Sequence, residues 1–62
     1  MSKRIYKRTN PFSQQSEILT SEEAMLYDSI KRAEMMNEHT KMQKGLDKFS
    51  RLNAKAYMTL LD

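Results

Sequence analysis

The first twelve residues of the chain combine cationic side chains with aliphatic and aromatic ones. These residues are Lys3, Arg4, Ile5, Tyr6, Lys7, Arg8 and Phe12. Lysine and arginine neutralise phosphate groups and aromatic rings stack on unpaired bases, so this composition suits nucleic-acid binding. It equally suits an extended strap, whose apolar side chains anchor it on another protein while its cations meet acidic groups. A solvated terminus is the third interpretation.

The remainder of the chain offers no residue pattern for catalysis or metal binding. His39 is the one histidine, there is no cysteine, and Glu34 and Glu38 beside it lack a spacing typical of a metal site. Neither a nucleophile motif nor a phosphate-binding loop is found. A chain of 62 residues also encloses little space from which water is excluded. We therefore expect a non-enzymatic protein without catalytic residues, cofactor or metal ion.

The net charge of +3 originates at the N-terminus. Residues 1–16 hold four cations and no carboxylate, whereas residues 17–62 hold seven cations and eight carboxylates, a balance of −1. An anionic partner is therefore expected to meet the N-terminal segment first. Acidic residues dominate residues 17–38 and basic residues dominate residues 39–62, which favours an antiparallel arrangement of these two parts.

The pattern of apolar residues argues against a membrane protein or a secreted one. The longest apolar run is "AMLY", residues 24–27, whereas a membrane-spanning helix needs about 20 apolar residues. The basic start is followed by no apolar stretch of the kind found in a signal peptide. We expect an intracellular or virion-associated protein with no transmembrane segment, one that is not secreted by a signal peptide.

The composition divides the chain near residue 17. Residues 1–17 are rich in turn formers and include Pro11, which predicts an extended basic arm, called here the N-terminal arm. Residues 18–62 contain no proline and one glycine, which predicts a helical segment. Thr20 and Glu23 match a capping box, so we expect the helix to begin near residue 21 and to run to about residue 60.

Gly45 leaves two arrangements of the helical segment open. Residues at alternating intervals of three and four form a later stripe that passes through this position: Met35, His39, Met42, Leu46, Phe49, Asn53, Ala56 and Leu60. This continuity favours one long helix, straight or kinked, in which an interior glycine costs about 1 kcal/mol relative to alanine. A glycine C-cap predicts instead a helical hairpin broken near Gly45. Both arrangements are all-α folds.

A first stripe of apolar residues lies on nearly the opposite side of the helix from the later stripe. It consists of Leu26, Ile30 and Ala33. The helix must therefore lie between two partners, bend or break near residues 36–40, or fold back on itself. A coiled-coil homodimer is a further alternative, because Met35 at a d position places Asn53 at an a position, although the flanking positions lack complementary charges.

These features predict a small structural or adaptor protein that is ordered within a larger assembly, such as a minor component of a virion or phage. The alternatives are a nucleic-acid-binding protein that uses the N-terminal arm and a small host-directed regulator of one target protein. The predicted contacts with a protein partner are Ile5, Tyr6, Phe12, Leu26, Ile30, Met35, Met42, Leu46, Phe49 and Leu60. The predicted contacts with an anionic surface or nucleic acid are Lys3, Arg4, Lys7 and Arg8.

Overall fold

The computed structural model describes residues 3–61, in which two strands precede three helices. The elements are β1 (Tyr6–Thr9), β2 (Ser16–Leu19), α1 (Ser21–Met35), α2 (His39–Leu52) and α3 (Ala54–Leu60). The predicted all-α fold is therefore wrong, and the chain has a small mixed α/β fold. None of the described helices has the length and apolar character needed to span a membrane. Residues 1, 2 and 62 of the predicted arm and helical segment lie outside the described residues.

Strands β1 and β2 pair antiparallel, so the N-terminal arm is not an extended segment but part of a hairpin that continues to Leu19. Tyr6 lies opposite Leu19 and Arg8 lies opposite Glu17. The paired residues point to the same side of the sheet, which places Leu19 in the core and brings the two charged residues towards the helices. The hairpin is thereby packed on this chain's own helices.

Asn10 organises the hairpin loop and joins it to α3. Its backbone N–H donates to the carbonyl oxygen of Gln15 at 2.8 Å. Its side-chain oxygen accepts from the backbone N–H of Phe12 at 2.8 Å, as in an Asx-turn. Its side-chain amide donates to the carbonyl oxygen of Thr59 at 3.1 Å. The turn-forming residues that predicted an irregular arm therefore form the loop of a hairpin.

The chain reverses direction between α1 and α2, at residues 36–38. Asn37 has a φ of 58°, in the left-handed region that asparagine tolerates better than most residues. The backbone N–H of Glu38 donates to the carbonyl oxygen of Ala33 at 2.8 Å and closes the turn. Helix α2 then passes through Gly45 without interruption. The prediction that a helix continues through Gly45 is therefore confirmed, whereas both complete arrangements, the single long helix and the hairpin broken near Gly45, are wrong.

The start of α1 agrees with the sequence, and a second break separates α2 from α3. The predicted capping box is confirmed: Thr20 and Glu23 each bond the other's backbone N–H through their side chains. Asn53 ends α2 with a non-helical backbone, and its side-chain oxygen accepts from the N–H of Ala56 at 3.0 Å. The later stripe is thus divided among three helices, with Met35 at the end of α1 and the other members in α2, α3 and the break between them.

One hydrophobic core joins β2 to all three helices. Its buried members are Leu19, Ala24, Tyr27, Ile30, Phe49, Ala56 and Leu60. Met42 and Leu46 are half-buried and pack against this core. The later stripe therefore faces the chain's own α1 and β2, and the prediction of a coiled coil is wrong. Met35 and His39, the first two members of that stripe, are exposed.

Candidate functional site

Helices α1 and α2 come into close contact at Gly45. A Cβ atom at this position would lie 2.7 Å from Cγ1 of Ile30, which is closer than two carbon atoms can pack. The φ of Gly45 is not positive, so its backbone conformation is open to any residue. Glycine is needed at this position because there is no space for a side chain. The sequence interpretation of Gly45 as a helix end or a tolerated interior glycine missed this role.

An open groove lies between α1 and α2 beside this contact. Its volume is about 440 Å³, and its apolar floor is formed by Leu26, Ile30, Ala33 and Gly45. A second depression of about 460 Å³ shares Leu26, Ser29 and Lys48 with it and extends towards the start of α1. The two depressions form one continuous surface, called here the groove. Met25, whose residue surface is 68% exposed, flanks its second half.

Four cationic side chains lie on the rim of the groove. They are Arg32 on α1 and Lys41, Lys44 and Lys48 on α2. The three lysines recur at intervals of three and four, so they share one face of α2. Nζ of Lys41 lies 2.9 Å from a carboxylate oxygen of Glu38. Within residues 3–61, the other three cations have no carboxylate at ion-pair distance.

Two of the four cations of the N-terminal arm are paired with carboxylates on α1. Nη1 of Arg4 lies 2.7 Å from Oε1 of Glu23. Arg8 donates from Nε and Nη2 to the two carboxylate oxygens of Asp28, at 3.0 and 2.9 Å. The hydrogen bond to Asp28 raises the pKa of Arg8. These pairs fasten the hairpin to α1, because each arginine bonds a residue about 20 positions away.

The remaining predicted site residues are distributed between the surface and the core. Lys3 and Lys7 are exposed and, in the described part of the chain, have no carboxylate partner. The large apolar residues that are exposed include Ile5, Tyr6, Phe12 and Met35. Those that pack in or against the core are Ile30, Met42, Leu46, Phe49 and Leu60. Of the predicted partner contacts, Leu26 and Ile30 line the groove.

The sequence did not predict a role for the rim cations, because the net positive charge of the chain originates in the N-terminal arm. The signal that identifies them is the spacing of Lys41, Lys44 and Lys48, which places them beside Gly45 and away from the core residues of α2. Arg32 carries no such signal, since it reaches the groove only when α1 and α2 fold against each other. No group of three histidine, aspartate or glutamate residues within 3–61 could hold a metal ion.

Glu23 is a buried carboxylate at the junction of α1 and the hairpin. Its Oε1 accepts from the backbone N–H of Thr20 at 3.0 Å and from Arg4 at 2.7 Å. Burial by itself raises the pKa of this carboxyl group. The hydrogen bonds from Thr20 and Asn53, together with the Arg4 charge, outweigh that effect and hold the pKa below its ordinary value of 4.5. The ionised form of Glu23 therefore stabilises the fold.

We expect Glu23→Gln to lower the free energy of unfolding at pH 7 by about 1–3 kcal/mol, the usual contribution of hydrogen bonds to a charged group. Because the pKa of Glu23 is lower in the folded chain, its stabilisation is present above about pH 4.5 and is lost as the pH falls through the folded pKa. Urea unfolding followed by circular dichroism should therefore show the variant approaching the wild type in acid. Glu22→Gln, an exposed neighbour in the same helical turn, is the control. Equal acid sensitivity in wild type and Glu23→Gln would contradict this role.

Comparisons with protein-family models, with curated proteins and with solved structures gave no match for this chain.

Proposed function

We propose that this chain is a small non-enzymatic adaptor protein that binds a partner protein through the groove between α1 and α2. The observation that carries the proposal is the open groove with its apolar floor. The groove lies outside the hydrophobic core, which β2 and the three helices already form together. Apolar concave surfaces of this kind accept helices and other partner segments. Ile30 and Ala33 in the floor are already buried by the chain itself, so the apolar surface that a partner would cover is the half-buried Leu26 and the exposed Met25 beside it.

The composition of the groove suits a protein partner. The half-buried Leu26 and the exposed Met25 provide apolar contacts, and methionine adapts its shape to an irregular partner surface. The methylene stems of Lys44 and Lys48 extend the apolar wall while their ammonium groups remain in water. Nucleic-acid binding by the hairpin is less well supported, because Arg4 and Arg8 are paired with carboxylates of α1.

A bulky residue at Ser29 should block binding of the partner. Ser29 is exposed and borders both halves of the groove, so Ser29→Trp fills the groove without changing the core. Gln43→Trp is the matched control, because Gln43 is exposed on α2 and does not line the groove. We expect both variants to keep the wild-type circular dichroism spectrum.

The measurement is quantitative affinity capture of the tagged chain from its source cells. We expect a partner protein that is recovered with the wild type and with Gln43→Trp. The amount of this protein recovered with Ser29→Trp should be lower by at least about tenfold, which corresponds to about 1.4 kcal/mol of lost binding free energy. The proposal is wrong if every captured protein is recovered equally with both tryptophan variants. It is also wrong if the Ser29-dependent material is nucleic acid that nuclease removes.

A further inference from the structure

We infer that the groove binds an acidic amphipathic helix of the partner protein, an inference that rests on the proposed function. Four cations and two carboxylates border the groove, which leaves a local charge of +2. Residues 17–62 as a whole carry a charge of −1, so positive charge is concentrated around the groove relative to the rest of this part of the chain. An occupant with carboxylates beside an apolar stripe complements both the rim and the floor.

The length of the groove matches a short helix. On α1 the groove runs from Ser21 to Ala33, a distance of about 18 Å at the helical rise of about 1.5 Å per residue. About three turns, or about 12 residues, of a partner helix cover that distance. Lys41, Lys44 and Lys48 occupy about two turns of the opposite wall, so carboxylates at intervals of three and four on the partner would face them.

The two carboxylates near the ends of the groove favour a short segment over a long polyanion. Glu22 borders the half of the groove nearer the start of α1, and Glu38 borders the other half. A nucleic-acid backbone that continued through both ends would bring phosphates close to both carboxylates, and its charges would lie over the apolar floor. A helix of about three turns ends beside these carboxylates, and its positive N-terminal end is attracted to one of them.

The experiment uses two synthetic peptides of about 18 residues whose central three turns carry the same leucine stripe, flanked by glutamates in one peptide and by lysines in the other. Binding to the full chain is followed by fluorescence anisotropy. We expect the glutamate peptide to bind at least about tenfold more tightly than the lysine peptide at about 50 mM salt. The difference should shrink at about 500 mM salt, because the rim cations are exposed and screened.

Charge reversal at the rim should exchange this preference. The double substitution Lys44→Glu and Lys48→Glu should weaken binding of the glutamate peptide and strengthen binding of the lysine peptide, each by at least about fivefold. Lys3→Glu with Lys7→Glu is the matched control, because it makes the same change of charge at exposed hairpin residues with the same spacing. That control variant should keep the wild-type preference.

The outcomes separate this inference from the proposed function. If the two peptides bind equally, or if the preference survives charge reversal at Lys44 and Lys48, the inference of an acidic helix is wrong. The proposed function, protein binding by the groove, is not contradicted by that result. Tight binding of a single-stranded oligonucleotide that depends on these lysines, with no peptide binding, overturns the inference in favour of nucleic acid. If neither peptide binds and Ser29→Trp leaves capture of every protein unchanged, the inference and the proposed function are both wrong.

Discussion

Phe49→Ala is expected to unfold most of the chain at about 25 °C in the absence of a partner. The Phe49 side chain has no exposed surface, and its ring packs against Tyr27 with the ring centroids 6.3 Å apart. Truncation of a buried phenylalanine costs about 3–5 kcal/mol, which includes the cavity that it leaves. A single core in a chain of this size supplies about the same amount of stability, so little remains after the substitution.

Urea unfolding and thermal melting, both followed by circular dichroism, test this expectation. Leu52→Ala is the control, because Leu52 lies one turn further along α2 and is 40% exposed. It should change the free energy of unfolding by less than about 1 kcal/mol. A Phe49→Ala chain that melts cooperatively within a few degrees of the wild type would show that Phe49 does not hold the three helices together.

The sequence predicted which residues of the later stripe pack together but not what covers them. Met42, Leu46, Phe49, Ala56 and Leu60 all pack in or against one core, as their spacing indicated. Intervals of three and four identify a shared side of a helix, and a partner or the chain's own elements can both cover that side. The interpretation of an uncovered face therefore followed from assuming one long helix.

Neither glycine nor proline marks the two breaks, although the offset of the two stripes had indicated one near residues 36–40. Asn37 turns the chain through a left-handed φ of 58°, and Asn53 ends α2 and caps α3 through its side chain. Asparagine also occurs inside helices, so two isolated asparagines are a weak signal for an end. The one strong signal, Gly45, lies within a continuous helix. By contrast, the cap formed by Thr20 and Glu23 depends only on local sequence, and it was predicted correctly.

The hairpin was missed because its stabilising contacts are distant in sequence. Each strand has four residues, too few to show a clear alternation of apolar and polar side chains. Arg4 and Arg8 find their carboxylates on α1, and Asn10 bonds the backbone of Thr59 in α3. The cationic composition was therefore interpreted as a surface for a partner, although half of those cations serve the fold.

Gly45→Ala is expected to lower the free energy of unfolding by about 1–3 kcal/mol, the usual cost of forcing an extra methyl group into a packed contact. Helix propensity alone predicts the opposite sign, a gain of about 1 kcal/mol when alanine replaces glycine inside a helix. The close approach decides the sign, because Cγ1 of the buried Ile30 lies 2.7 Å from the new Cβ position. Urea unfolding of wild type and Gly45→Ala measures the difference.

A double-mutant cycle with Ile30→Ala attributes the loss to this one contact. Removing Cγ1 of Ile30 leaves room for the new methyl group, so Gly45→Ala should be neutral or stabilising in that background, with a coupling of about 1–3 kcal/mol. All four chains are compared in trimethylamine N-oxide, which strengthens burial and keeps the truncated core folded. If Gly45→Ala stabilises the wild-type chain as propensity predicts, α1 and α2 do not meet at this point. The floor of the groove, and the binding function argued from it, would then lose their structural basis.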